Sequence, residues 1–375
     1  GVAVAYAPRE DTRVRAASAD FPGEVGFDLG EIPPASPGEW GNFLRGAALV
    51  LRAGGAPGGA SPAAPGADAG GGALARGADL FVAGELPIGG LSSSAAVAAG
   101  YLLALCGAGG LGLPAERCAT LVHRVENEYV GLRSGLLDQS MILFARRERL
   151  LHLDCRSGAR EYVPCGAAER GLPPPAILVA HSGLTRALVG TGYNQRVAEC
   201  REAASRLLEG AGLPAPAGGA RLRDVPPEVY REQRVALPAP LARRAAHYFG
   251  EQERVAAGTV AWREGDLEGF GRLVARSGRS SIENYECGAP ELVALYEALL
   301  EAPGVYGARF SGAGFRGACL ALVHPPAFDA AAEAVRATYL RRYPQYAGTF
   351  GVFRCASGPP ARRLSAALDD LGLDG

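Results

Sequence analysis

The chain has 375 residues, 48% hydrophobic and 21% charged, enough to build the cores of two domains and too apolar for a disordered or fibrous protein. Its 38 basic side chains are all arginine, set against 39 acidic ones, so there is no lysine for a Walker-type phosphate loop or a pyridoxal Schiff base. A net charge of −1 also argues against a nucleic-acid partner, which would require a basic surface to displace counterions from phosphates.

In chain order, Val2–Tyr6 and Thr12–Ala16 alternate at period two around a turn-rich Ala7-Pro8-Arg9-Glu10-Asp11, which predicts a β-hairpin. Glu24–Leu29 alternates as well and predicts a third strand. Apolar residues at Trp40, Phe43, Leu44, Ala47, Ala48 and Leu51 follow helical spacing, with Ser36 expected as N-cap and Pro37 in the first turn. From Ala53 to Gly77 the composition collapses to glycine, alanine, proline and serine, and a disordered insertion is expected there. Asp79–Ala83 then predicts a strand, followed by a glycine-serine loop and a helix through Val97, Tyr101, Leu102, Leu105 and Cys106. Further helices are expected from about Pro114 to Tyr129 and from about Tyr193 to Leu208, with helical arms reaching about Ala275. Two strands, Ala308–Ser311 and Cys319–Val323, flank a last glycine-rich loop.

The eight cysteines never approach C-x-x-C spacing and the five histidines form no H-x-x-x-H pair, so neither a zinc site nor a disulfide framework is expected. No apolar run reaches the roughly 18 residues of a membrane span, and no secretory leader is visible. A cytoplasmic protein without a membrane partner is the expectation. The first residue is Gly1 and the only methionine is Met141, so a segment upstream is expected to be missing.

Three segments could carry chemistry. Gly89-Gly90-Leu91-Ser92-Ser93-Ser94-Ala95 places backbone amides and hydroxyls at a helix mouth, which suits a phosphate; an ordinary serine N-cap is the alternative. Asp138 stands between leucines and the apolar run Met141–Phe144, awkward for a carboxylate unless it caps a helix, is paired, or works. Gly312, Gly314 and Gly317 match G-x-G-x-x-G, but the run Cys319–Val323 after them reads as a strand and not as the helix a dinucleotide fingerprint needs. A loop that brings backbone close to a ligand, or a bulged hairpin, fits better.

The strings Pro87–Ala96, Gly135-Leu136-Leu137-Asp138-Gln139 and Ser311–Phe315 occur in the order and spacing of the second motif, the catalytic-aspartate segment and the third motif of the GHMP small-molecule kinases, which this chain resembles. Leu151–Ser157, and Tyr193 ahead of Arg196, Cys200 and Arg201, are similar to the galactokinase branch. Glu128–Gly135, Ser281–Gly288 and Pro303–Phe310 are most similar to plant-type galacturonokinase. The resemblance implies an α+β fold of two domains. These are a ribosomal-S5-domain-2-like N-terminal domain over residues 1–175, with a low-complexity insertion at 53–78, and a ferredoxin-like C-terminal domain over 176–375.

It further implies a Mg²⁺- and ATP-dependent kinase acting on the anomeric hydroxyl of a sugar. D-galacturonate is the expected substrate, galactose the alternative, and a weakly active or inactive sugar and ATP sensor a third possibility. The Gly89–Ala95 loop, with Gly312, Ala313 and Gly314, would hold ATP phosphates, and Ser92 or Ser93 would reach Mg²⁺. Asp138 would accept the sugar O1 proton, with Tyr193 and Gly135 beside the sugar. Galactokinases usually carry non-basic residues at the positions of Arg133 and Arg316, so these arginines are the candidates for gripping a C6 carboxylate through paired hydrogen bonds. The family's first motif, expected ahead of Val2, is absent from the sequence, and a monomer is expected.

Overall fold

In the computed structural model of the chain the described residues are 1–53, 73–85, 90–132, 134–184, 192–312, 314 and 317–364, with only the backbone described at Tyr193 and Asn194. They form two compact units. The first comprises Gly1–Pro87, Ser92–Tyr162 and the stretch from Gly358; the second comprises Ile88–Leu91 and Val163–Ser357. The change of unit thus falls at Tyr162/Val163, ahead of the 175/176 division read from the sequence.

The first unit contains β1 (Val2–Pro8), β2 (Arg13–Ser18), β3 (Glu24–Asp28), α1 (Asn42–Arg52), β4 (Ala78–Gly84), α2 (Ser93–Ala108), α3 (Ala115–Arg124), a π-helical turn (Val125–Val130), α4 (Leu137–Phe144) and β5 (Arg149–Leu153). A further strand, β6 (Arg160–Pro164), which straddles the change of unit, pairs with β5. Both strands of the expected hairpin exist, but they do not pair with each other. The sheet order is β1-β4-β2-β3, with β4 antiparallel to β1 and parallel to β2. Two forces put β4 in the middle. Its Ala78, Leu80 and Val82 are buried on one face, and Asp79 takes Arg15 through two bonds of 2.7 and 2.9 Å and Arg9 through one of 3.0 Å.

Helix α1 begins at Asn42, later than Ser36 and Pro37 led us to expect. The Asn42 side chain accepts from the Ser36 amide and donates to its carbonyl (3.1 and 2.6 Å), which ties the preceding chain into a closed loop. Its Leu44, Ala47, Ala48 and Leu51 pack with α2 into one core. Each such leucine contributes about 2–3 kcal/mol by leaving water. Most of the expected low-complexity insertion, residues 54–72, lies outside the described residues. Its far end does not fit that expectation: Leu74 is buried in the core and its amide bonds the Leu51 carbonyl, so ordered chain resumes before Ala78.

The second unit contains β7 (Ala176–His181), α5 (Tyr193–Gly210), α6 (Pro227–Gln233), α7 (Ala239–Arg263), α8 (Leu267–Glu283), α9 (Pro290–Glu301), β8 (Val305–Phe310), β9 (Ala318–Val323), α10 (Phe328–Arg342) and β10 (Gly351–Cys355). Its sheet, β10-β7-β9-β8, is antiparallel throughout, and α9 and α10 share its core. Helices α5, α6 and α7 enclose a separate apolar cluster around Leu207, Leu241 and Phe249. All eight cysteines are free. No helix among the described residues is long and apolar enough to cross a membrane.

Helix α8 lies on β8 through a pair of glycines. A Cβ on Gly307 would stand 1.9 Å from the Gly271 carbonyl oxygen, and one on Gly271 would stand 2.1 Å from that of Tyr306. Backbone on both sides leaves no side chain to swing away. Gly307→Ala is expected to destabilise the protein by about 1–3 kcal/mol, seen as an earlier urea midpoint. An unchanged midpoint would show the contact to be looser than described.

Candidate active site

The first segment is the entry to α2. Gly89 lies outside the described residues. Gly90 takes φ 74°, and Ser92 takes φ 54°, an unusual left-handed conformation for a side-chain-bearing residue. Ser92 precedes the helix but makes no side-chain capping bond, so it is not the ordinary serine N-cap that the sequence left open. Its hydroxyl and the first-turn amides of Ser93, Ser94 and Ala95 sit together at the positive end of a long helix. Ala95, Ala98 and Ala99 are fully buried, which anchors that end.

The second segment is the aspartate loop, and here the structure adds residues that lie outside the sequence motifs. Helix α3 runs into the π-helical turn, which carries Glu126, only 2% exposed. The Gln139 amide, fully buried on α4, donates to Glu126 Oε2, as does the Ser134 hydroxyl (3.2 Å). Asn127 donates to the Ser134 hydroxyl and carbonyl (3.1 and 3.3 Å), and His123 Nε2 lies 3.1 Å from the same carbonyl. This lattice fixes the chain on both sides of Gly135 and so orients α4. Asp138, in the first turn of α4, is half-buried and makes no capping bond. The apolar surroundings that made it look awkward are partly an illusion, since Leu137 is 55% exposed. Among the described residues its carboxylate has no hydrogen-bond or ion-pair partner. Arg133 lies outside the described residues.

Glu126 is the informative addition. This carboxyl group is buried, its partners are an amide and a hydroxyl, and no ion pair to it occurs among the described residues. Such a group is costly to bury unless a cation joins it. The Gln139 Oε1 acceptor beside it is also buried, with no hydrogen-bond partner among the described residues. No cluster of three or more His, Cys, Asp or Glu side chains suited to a metal occurs among the described residues, so a cation here would draw other ligands from hydroxyls and from a bound anion. The turn packs against α2. Glu126 stands on a π-helical turn, a feature of the backbone that favours functional sites.

The third segment belongs to the second unit. Strands β8 and β9 pair antiparallel around Ser311–Gly317, so the glycine pattern joins two strands and is not a dinucleotide fingerprint. Gly312 and Gly314 both take positive φ, 66° and 74°. A Cβ on Gly312 would stand 3.7 Å from the Gly90 carbonyl oxygen, so these two sequence-distant glycines are neighbours. Ala313 and Arg316 lie outside the described residues. Tyr193 is the first residue of α5.

Residues 47–146 match the GHMP kinases N terminal domain, and residues 259–340 match the family described as GHMP kinases C terminal. Galacturonokinase of Arabidopsis thaliana is 40% identical over 97% of this chain and 86% of its own length. The chain belongs to the GHMP kinase family. Galactokinase of Roseiflexus sp. (strain RS-1) is 34% identical over 85% of this GHMP kinase and 75% of its own length. The crystal structure of Lactococcus lactis galactokinase complexed with galactose superposes with a TM-score of 0.83 at 29% identity, covering 97% of this chain and 87% of that one. The Methanococcus jannaschii mevalonate kinase, at a TM-score of 0.57 and 15% identity, shares the fold alone. Within the family this GHMP kinase belongs to the sugar-kinase branch that includes galactokinase and galacturonokinase.

Proposed function

We propose that this kinase transfers the γ-phosphate of ATP to the anomeric hydroxyl of D-galacturonate, giving galacturonate 1-phosphate. The observation that carries the substrate is the 40% identity to a galacturonokinase over nearly the whole chain, above the 34% to a galactokinase. The chemistry is supported by Asp138 on α4, which has no partner among the described residues, and by the uncapped entry to α2. Asp138 accepts the O1 proton as the new O–P bond forms, and the α2 amides hold phosphate oxygens. Ser92, Ser93 and Glu126 fit Mg²⁺, which when bound supplies charge neutralisation for the transferring phosphoryl group. With no lysine in the chain, backbone amides and arginine carry the remaining positive charge.

Arg133 is assigned to the sugar carboxylate, and Arg316 is the other candidate. The test is turnover of Mg-ATP with galacturonate, glucuronate and galactose in parallel, for the native chain, Arg133→Ala and Arg316→Ala. Galacturonate is expected to be preferred, and Arg133→Ala to lower kcat/KM for it relative to galactose about 10–100-fold, the worth of a charged hydrogen-bonded pair. Glu126→Gln is expected to raise the Mg²⁺ concentration needed for half-maximal rate. A preference for galactose that neither arginine variant alters would replace the uronic-acid assignment with galactokinase, a reading favoured by the likeness to the Lactococcus enzyme. ATP binding without turnover of any sugar would point to a sensor.

A further inference from the structure

Within the second unit three arginines converge on one short stretch of backbone. Arg244 of α7, 1% exposed, donates to Glu199 on α5 (2.6 Å), to the Asn284 carbonyl (2.5 Å) and to Glu286. Arg243 donates to the other Glu286 oxygen (2.7 Å). Arg196, one turn into α5, donates to the carbonyls of Tyr285 (2.8 Å) and Glu286 (3.3 Å) and to Glu199 (3.2 Å). The residue so gripped is strained, for Glu286 takes φ 54° without being glycine.

The stretch leads to the third glycine loop. Cys287 follows Glu286 and is buried, with its amide and thiol both on the Ser281 carbonyl (3.1 and 3.2 Å). A Cβ on Gly314 would stand 3.3 Å from Cys287 Sγ and 2.6 Å from the Phe310 ring, and one on Gly288 would stand 2.8 Å from that same ring. Cys287, Gly288 and Phe310 are therefore the floor under Gly314. Arg196 is bonded at once to this stretch and to the helix whose first residue is Tyr193. Neither the fold core nor the proposed chemistry accounts for so much charge spent on five residues of loop.

We infer that Arg196, Glu286 and the paired Arg243 and Arg244 form an ionic knot that positions the two substrate-facing parts of this unit together: the glycine loop through Cys287 and Phe310, and the start of α5 through Arg196. These are positioning residues, acting through the loop and helix they hold, and the inference rests on the kinase reading above. A fixed left-handed Glu286 sets where Gly314 can lie, and Arg196 makes that placement and the placement of Tyr193 interdependent. The link runs through contiguous contacts, which is the physical requirement for such coupling.

The test separates the two arms of the knot. Lysine at position 196 keeps the charge but cannot reach three acceptors in the guanidinium geometry, so Arg196→Lys is expected to raise KM for ATP and for the sugar together, each about tenfold. Among the described residues the Arg243 side chain hydrogen-bonds only Glu286, and it is partly exposed, so Arg243→Ala is expected to fold normally, to raise KM for ATP about threefold and to leave KM for the sugar unchanged. Lower melting temperatures with both KM values intact in both variants would reduce the knot to a purely structural element and overturn the inference. Calorimetric binding of Mg-ATP to the unmodified chain distinguishes the failures. Wild-type binding and turnover with unaltered variants would refute the knot alone, whereas no binding and no turnover in the wild type would remove the kinase reading and the inference with it.

Discussion

Asp138→Asn is expected to lower turnover by about 10²–10⁴-fold while shifting the melting temperature by no more than about 2 °C. The asymmetry follows from what the carboxylate does and does not touch. It is half-buried, caps nothing, and has no hydrogen-bond or ion-pair partner among the described residues, so the isosteric amide removes no stabilising contact. Its orientation comes from Gln139 next to it, whose amide is fixed on Glu126. The substitution removes proton acceptance and little else. Steady-state turnover with calorimetric Mg-ATP binding checks it: binding should persist in the variant. A turnover within threefold of the wild type would mean that the O1 proton leaves by another route and that Asp138 is not the base.

Arg244→Ala is expected to cost about 3–5 kcal/mol of stability at neutral pH, the largest loss we anticipate for a residue away from the apolar cores. Truncation takes from Glu199, whose side chain is only 16% exposed, its shortest charged partner and leaves it Arg196 and Gln195, and it frees the Asn284 carbonyl and one oxygen of Glu286. Burial pushes the Glu199 carboxyl up, but the hydrogen bond and charge of Arg244 outweigh it and hold the group below its ordinary value; Glu286 is lowered first by its hydrogen bond to Arg244. The sign follows. A carboxyl with a depressed folded pKa contributes stability that is complete above the unfolded value near 4.5 and disappears as the pH falls through the folded one. Wild-type urea midpoints should therefore fall on acidification below about pH 4.5, and the variant should fall less because the pairing is already gone. Parallel acid profiles for the two proteins would contradict this account.

What could be read ahead of the structure was whatever local chemistry dictates. Arg13-Val14-Arg15-Ala16 and Glu24–Asp28 alternate so plainly that β2 and β3 follow from their side chains, and the serine run with small alanines behind it announces α2. Pairing was not legible. Which strand lies beside β1 is set by contacts across more than sixty residues of sequence, such as Asp79 meeting Arg9 and Arg15, a choice invisible to any short window. The start of α1 was misplaced because a serine before a proline imitates a helix cap, while the deciding bond comes from Asn42 reaching back. At the site, Asp138 stood out by its discordant neighbours. Glu126 did not, because an acid in an arginine-bearing helical stretch looks solvated until the fold buries it, and the Ser134, Asn127 and Gln139 contacts that reveal its place join separate turns of chain.

The second unit is threaded into the first as an insert, since the chain leaves the first unit at Tyr162 and rejoins it at Gly358. The rejoining stretch has a definite task, for the Ala361 amide bonds the Ile142 carbonyl in the last turn of α4, one of the acceptors that a helix end leaves open. During synthesis, residues 163–357 must be made before that amide exists, and at about 5–20 residues per second they take on the order of 10–40 s. For that interval the helix bearing Asp138 lacks its closing bond. The nascent protein thus closes the end of α4 last, after residues 163–357 have been made.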